Sequence, residues 1–178
     1  IKMKHNVTEV SQAEGSVFIT CDNGSTFSGD SLICTAPTYS VSKINWKPGL
    51  PEDKIEAINA LQYARISKHA LLFNERFWND EAFDLVTDIY GHYFYHATKN
   101  QPGKKGALIS YTIGDKADVI SRQNEEFKTA VIQESLRQAF GDVKDKIVSQ
   151  VNYYWGMDEY SKGGYAMYGK GQWFTIMP

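Results

Sequence analysis

The chain has 178 residues and a formal net charge of −2, so nothing in its electrostatics argues for binding nucleic acid or an anionic membrane surface. With 42% hydrophobic and 22% charged residues, it reads as an ordinary soluble domain large enough to bury a real core. No apolar run reaches the roughly 18 residues of a membrane span.

The first residues, IKMKHNVTEV, hold neither an initiator methionine nor a signal-peptide core. The last, FTIMP, stop on an apolar run. Both ends read as the interior of a longer chain. From Val7 the pattern alternates: Val7 and Val10, Val17 and Ile19, Phe27, then Leu32 and Ile33 mark short strands of a β-meander. Asp22-Asn23-Gly24 is a hairpin turn, because asparagine and glycine tolerate positive φ. Cys21 and Cys34 fall in apolar strand-like runs, and both are expected as buried free thiols. The stretch TAPTYSVSKINWKPGLP, with three prolines, reads as a linker. Pro51 and the acids behind it suit a helix N-terminus.

QYARISKHALLF alternates as one strand, DIYGHYFYHATK as another and GALISYTIG as a third. DKADVISRQ is a short helix. A longer helix follows, with Ile132, Leu136, Ala139 and Phe140 on one face and Gly141 closing it. KIVSQVNYYW returns to strand. This order predicts an α+β fold with a mixed, largely antiparallel sheet flanked by helices. Near the C-terminus, YSKGGYAMYGKGQW mixes aromatic rings, glycines and two lysines. Glycine weakens a buried strand, so the segment suits backbone that approaches a flat ligand between aromatic walls.

No glycine-rich dinucleotide fingerprint and no P-loop is present, and no Gly-x-Ser-x-Gly elbow. His92 and His96 would share one face of a strand. No nearby cysteine or carboxylate completes a ligand set, so no metal is expected.

Four segments in order carry a resemblance: GDSLICTAP, INWKPGLPEDKIEAINAL, ISKHALLFNERFW and YYWGMDEYSKGGYAMYGKGQ. Together they resemble the flavin-containing amine oxidases, of the monoamine and polyamine oxidase kind. The resemblance implies that residues 1–178 are the substrate-binding region of such an enzyme, with flavin-contacting edges at 1–10 and 153–173. The FAD fingerprint segments would lie in the remaining FAD-binding domain of a longer parent chain. It implies a soluble enzyme, with the cytoplasm favoured, that oxidises a small amine to an imine with non-covalent FAD and reduces O2 to hydrogen peroxide. The isolated 178 residues would bind FAD poorly.

Lys68 matches the family lysine that holds a water near flavin N5 and assists the reaction with oxygen. A cation there stabilises negative charge developing on oxygen. Trp155 matches a tryptophan lying beside the flavin ring. Gly163, Gly164 and Tyr165 match the backbone at the ring, and Val7 a strand residue at the adenine end. Some members carry a flavin-linked cysteine at the position of Tyr165; tyrosine there implies no covalent bond. Tyr165, Ala166 and Tyr168 would line the substrate cavity, with alanine where a monoamine oxidase has a cage tyrosine. Phe77 and Trp78 are expected to be structural. An L-amino acid oxidase or related FAD oxidoreductase of the same fold is the alternative, with Arg65 or Arg76 as the carboxylate partner. A non-catalytic α+β binding module is the other.

Overall fold

The computed structural model describes residues 1–176; Met177 and Pro178, the end of the FTIMP run, lie outside the described residues. The chain divides into two compact units. The first comprises residues 1–63, 159–161 and the chain from Ala166. The second comprises Ala64–Asp158 and Lys162–Tyr165.

In the first unit, β1 (Val7–Ala13), β2 (Ser16–Cys21) and β3 (Thr26–Gly29) form the predicted antiparallel meander. The Asp22-Asn23-Gly24 turn closes through the Asn23 side chain, whose oxygen accepts from the Ser25 amide at 2.9 Å. Val10, Val17 and Cys21 form its buried centre. The proline-rich stretch is more ordered than a linker. It holds α1 (Thr38–Val41) and β4 (Asn45–Lys47), and β4 lies parallel to β1 with Trp46 opposite Val10. The prolines act as boundaries: Pro37 and Pro51 stand at the N-caps of α1 and α2 (Glu52–Ala60), and Pro48, with no amide proton, follows the last residue of β4. Leu32 and Ile33 are not in a strand. The sheet order β3-β2-β1-β4 places no strand beside them, so the apolar pair has no ladder to join. Ile33 is 87% exposed, and Cys34 is an exposed free thiol, while Cys21 is buried as expected.

The second unit is a five-stranded sheet in the order β10-β6-β9-β8-β7. Its strands are β6 (Ile66–Phe73), β7 (Asp84–Val86), β8 (Tyr93–His96), β9 (Gly106–Ile113) and β10 (Ile147–Tyr154), and each pairs with its neighbours antiparallel. QYARISKHALLF is two strands rather than one. It breaks at Arg65, and β5 (Gln62–Ala64) pairs instead with β11 (Gly164–Met167). The aromatic stretch is a hairpin whose turn is closed by the Thr87 amide donating to the His92 carbonyl at 2.6 Å. His92 therefore belongs to the turn and only His96 to the strand, so the two do not share a strand face. Among the described residues no group of three or more His, Cys, Asp or Glu could hold a metal ion.

Helix α3 (Gly114–Ser121) and helix α4 (Glu125–Phe140) complete the unit, and the short α5 (Gln172–Thr175) belongs to the first. The Asn124 side chain caps α4 by accepting from the Phe127 amide at 2.8 Å. Gly141, at φ 74°, ends it. Burial alternates along β8 and β9, and along β6 from Ser67 onward. Leu71, Phe73, Phe94 and Leu108 turn to one side and pack with Ile120 of α3 and Ile132 and Leu136 of α4 into one core. Trp78 is buried in that core beside Phe73 and Phe77, the structural place expected of it.

His69 lies on this inner face. It is 3% exposed, its Nε2 is 3.3 Å from Gln150 Oε1, and its Nδ1 has no partner. Burial is the largest cause of a lowered pKa, opposed by the Gln150 bond and the charge of Glu125, with Lys128 acting in the same sense as burial. The folded state therefore favours the neutral ring. Below about pH 6.5 the unfolded chain binds the proton more readily. Stability is present above that pH and falls as pH drops towards the folded pKa, by at most about 1.4 kcal/mol per pH unit. Urea unfolding at pH 7.5 and 5.5 should show this loss, and His69→Gln should reduce it.

Candidate functional site

β6 carries the first candidate side chain. Its alternation places Ser67, His69 and Leu71 inward and the half-buried Lys68 and Ala70 on the opposite face. Lys68 stands opposite Tyr111 of β9 and Tyr153 of β10. Its ammonium lies 5.5 Å from the centre of the Tyr111 ring, within cation–π range.

β10 supplies the second. At Tyr154 the strand gives way to a single 3-10 turn, Trp155–Met157, which keeps the Trp155 ring 4.9 Å from that of Tyr153. The turn depends on Gly156, where a Cβ would fall 2.4 Å from the Tyr154 hydroxyl. That hydroxyl donates to Asp118 of α3. Burial first, then Asp118, pushes Tyr154 up to about 12. Asp118 is held low by the same Tyr154 bond and by Arg65. This network fixes the end of β10 and hence the start of the Trp155 turn.

The third part is the glycine pair. Gly163 is buried, and a Cβ on Gly164 would stand 3.1 Å from Ile66 Cδ1, so a bare backbone lies close against the start of β6. Tyr165 follows at φ 62°, a left-handed conformation uncommon for a non-glycine residue. The residue is 67% exposed, and it raises the pKa of Tyr111, after burial, which is the larger cause.

Ile66, Lys68, Trp155, Gly163, Gly164 and Tyr165 line one cavity of about 200 Å3. Five residues expected at the flavin from sequence thus meet in one place. The volume is below the roughly 300–1,000 Å3 of a complete small-molecule pocket and suits one edge of a flat ring system. An exposed indole, a cation and a glycine backbone on which a side chain would crowd Ile66 make a donor and contact set that fits such an edge. The other expected residues belong to the first unit. Val7 pairs with Cys21 at the start of β1, Ala166 is exposed in β11, and Tyr168 packs edge-on against Trp173 at 5.2 Å.

Both candidate arginines are already engaged. Arg65 bridges Asp115, at 2.6 Å, and Asp118. Arg76 bonds Glu81 at 2.9 Å and the carbonyls of Thr98, Gln101 and Lys105. The Arg76 side chain is largely buried, while that of Arg65 stays about half exposed. Tyr111 and Tyr153 were not singled out from sequence. Their signal was the alternation of β9 and β10, which became specific only once the register with Lys68 was known.

This fold is that of the amine oxidases. Over 96% of its length the chain superposes on 38% of cyclohexylamine oxidase from Brevibacterium oxydans IH-35A, with a TM-score of 0.83 at 18% identity. Residues 1–176 match the model of the flavin containing amine oxidoreductase family, and the chain belongs to that family. It is 28% identical to a flavin-dependent L-tryptophan oxidase of Lentzea aerocolonigenes over 96% of this chain and 38% of that protein. It is also 28% identical to polyamine oxidase 3 of Oryza sativa subsp. japonica, over 97% of this chain and 36% of that one. The chain therefore spans little more than a third of the length of these two relatives. Among the described residues no helix is long and apolar enough to cross a membrane.

Proposed function

We propose that this chain is the substrate-facing part of an FAD-dependent amine oxidase, whose remaining FAD-binding portion is supplied by a longer parent polypeptide. The observation that carries this reading is the meeting of Lys68, Trp155, Gly163, Gly164 and Tyr165 on one cavity. When bound, the flavin would accept a hydride from the carbon bearing the amine nitrogen and pass two electrons to O2, yielding an imine and hydrogen peroxide. Trp155 offers its indole to the ring edge, and the Gly163-Gly164 backbone permits close approach. Lys68 places a positive charge where oxygen gains negative charge. Tyr165 offers no thiol, in keeping with non-covalent FAD. Val7 would contact the cofactor through its backbone, and Tyr165, Ala166 and Tyr168 would face substrate. Free thiols at Cys21 and the exposed Cys34 suit a soluble enzyme of the reducing cytoplasm.

The test is anaerobic mixing of the full-length protein with amines and amino acids. Bleaching of the visible flavin band by at least one of them is expected, followed by recovery on admitting O2 with one hydrogen peroxide per turnover. A flavin that none of them bleaches overturns the reading.

A further inference from the structure

The face of the second unit's sheet that carries Lys68 has an ordered composition. The pairings place Tyr153, Lys68, Tyr111, Tyr93 and Val86 in one rank across all five strands. The neighbouring rank is Val151, Ala70, Ile109, Tyr95 and Asp84. Residues opposite one another in an antiparallel ladder project to the same side. The rings touch: Tyr93 lies 5.8 Å from Tyr95 and 6.5 Å from Tyr111, and the Lys68 ammonium lies 5.5 Å from the centre of the Tyr111 ring. Of these ten residues one is a cation and one an anion. The anion, Asp84, is three strands from β6, about 14 Å at ordinary strand spacing, and it already accepts from the Tyr93 hydroxyl at 2.8 Å.

We propose that these two ranks select the substrate as a primary amine with a single ammonium group and a flat, apolar body, an arylalkylamine, with Tyr111 as the residue that discriminates. This rests on the amine-oxidase reading above. A flat body gains contact with the tyrosine rings and with Ala70 and Ile109. A short diamine presents a second ammonium to a wall that carries the like charge of Lys68, and the carboxylates at its two ends, Asp84 and Asp158, already accept from the hydroxyls of Tyr93 and Tyr153. Leaving that ammonium desolvated without a carboxylate of its own is unfavourable. The wall thus discriminates as much by what it fails to pair as by what it contacts.

The test uses the full-length flavoprotein in two arms. In turnover, kcat/KM for 2-phenylethylamine should exceed that for putrescine and spermidine. Tyr111→Ala should reduce this preference about tenfold, the scale of one lost ring contact, while Tyr111→Phe keeps it. In binding, 2-phenylpropan-2-amine has no hydrogen on the carbon bearing nitrogen and cannot be oxidised. Its Kd by calorimetry should weaken about tenfold in Tyr111→Ala, with thermal melting confirming that the variant is folded. Preference for putrescine, spermidine or an L-amino acid overturns the inference and leaves the oxidase reading intact. So does a Kd unchanged in folded Tyr111→Ala. A flavin that no amine reduces overturns the oxidase reading, and the binding arm still decides the role of Tyr111.

Discussion

Lys68→Met in the full-length flavoprotein is expected to slow reoxidation by O2 about 10²-fold or more, the scale of removing one group aimed at developing negative charge, while reduction by amine changes only a few-fold. The asymmetry follows from the chemistry of the two half-reactions. Removing hydride from a neutral amine carbon would create no compact anion for Lys68 to stabilise, because the negative charge would be spread over the flavin ring. Reducing oxygen does, and the ammonium stands at the cavity lined by Trp155 and the Gly163-Gly164 backbone. Methionine keeps the length and apolar stem of the side chain but removes the charge. The Lys68 contact with the Tyr111 ring is lost as well, so Lys68→Arg is the useful companion: it restores the cation and should recover most of the rate. Stopped-flow traces of the two half-reactions decide the matter. Equal slowing of both steps would remove Lys68 from the proposed role.

Phe73→Ala is the second large effect, and it acts on stability. Phe73 is fully buried at the end of β6 and packs edge-on against Phe77 at 5.0 Å and Trp78 at 6.0 Å. Removing its ring leaves a cavity that these stiff neighbours cannot fill, at a cost of about 3–5 kcal/mol. Phe73→Leu keeps most of the volume and should cost less than about 1.5 kcal/mol. Urea unfolding reads both, with an unchanged m-value showing that the native state is otherwise intact. An alanine variant with wild-type stability would mean that the core spanning β6, β8, β9 and α4 contributes far less than its burial implies. Because Phe73 and Lys68 share a strand and point to opposite faces, the two substitutions separate packing from chemistry on a single element.

Much of this arrangement was legible in the chain. Gly141 marked the end of α4 because capping is local chemistry, satisfied by the residue itself and its near neighbours. The alternation of ISKHALLF and GALISYTI showed which residues share a face. Leu32 and Ile33 misled for the converse reason: an apolar pair becomes strand only where another strand offers its amides and carbonyls, and among the described residues none does. The parallel pairing of β4 with β1 was hidden for the same reason, since three residues between prolines carry no sign of a partner some 36 positions earlier. His92 was lost to the closing bond of a hairpin, and Arg65 and Arg76 to carboxylates and carbonyls that only the folded chain brings near.

Short-range rules were therefore enough to settle the strand faces, the helix ends and the α+β character, because each depends on dihedral preference and side-chain periodicity over a few residues. The meeting of Lys68 with Trp155, Gly163 and Tyr165 was a matter for tertiary structure. It required β10 to pair with β6 so that Tyr153 stands opposite Lys68, and the Tyr154–Asp118–Arg65 network to hold the turn that follows. A register slip of one residue would have turned Tyr153 to the opposite side of the sheet, and registry between strands some eighty residues apart is decided by the packing of the whole unit.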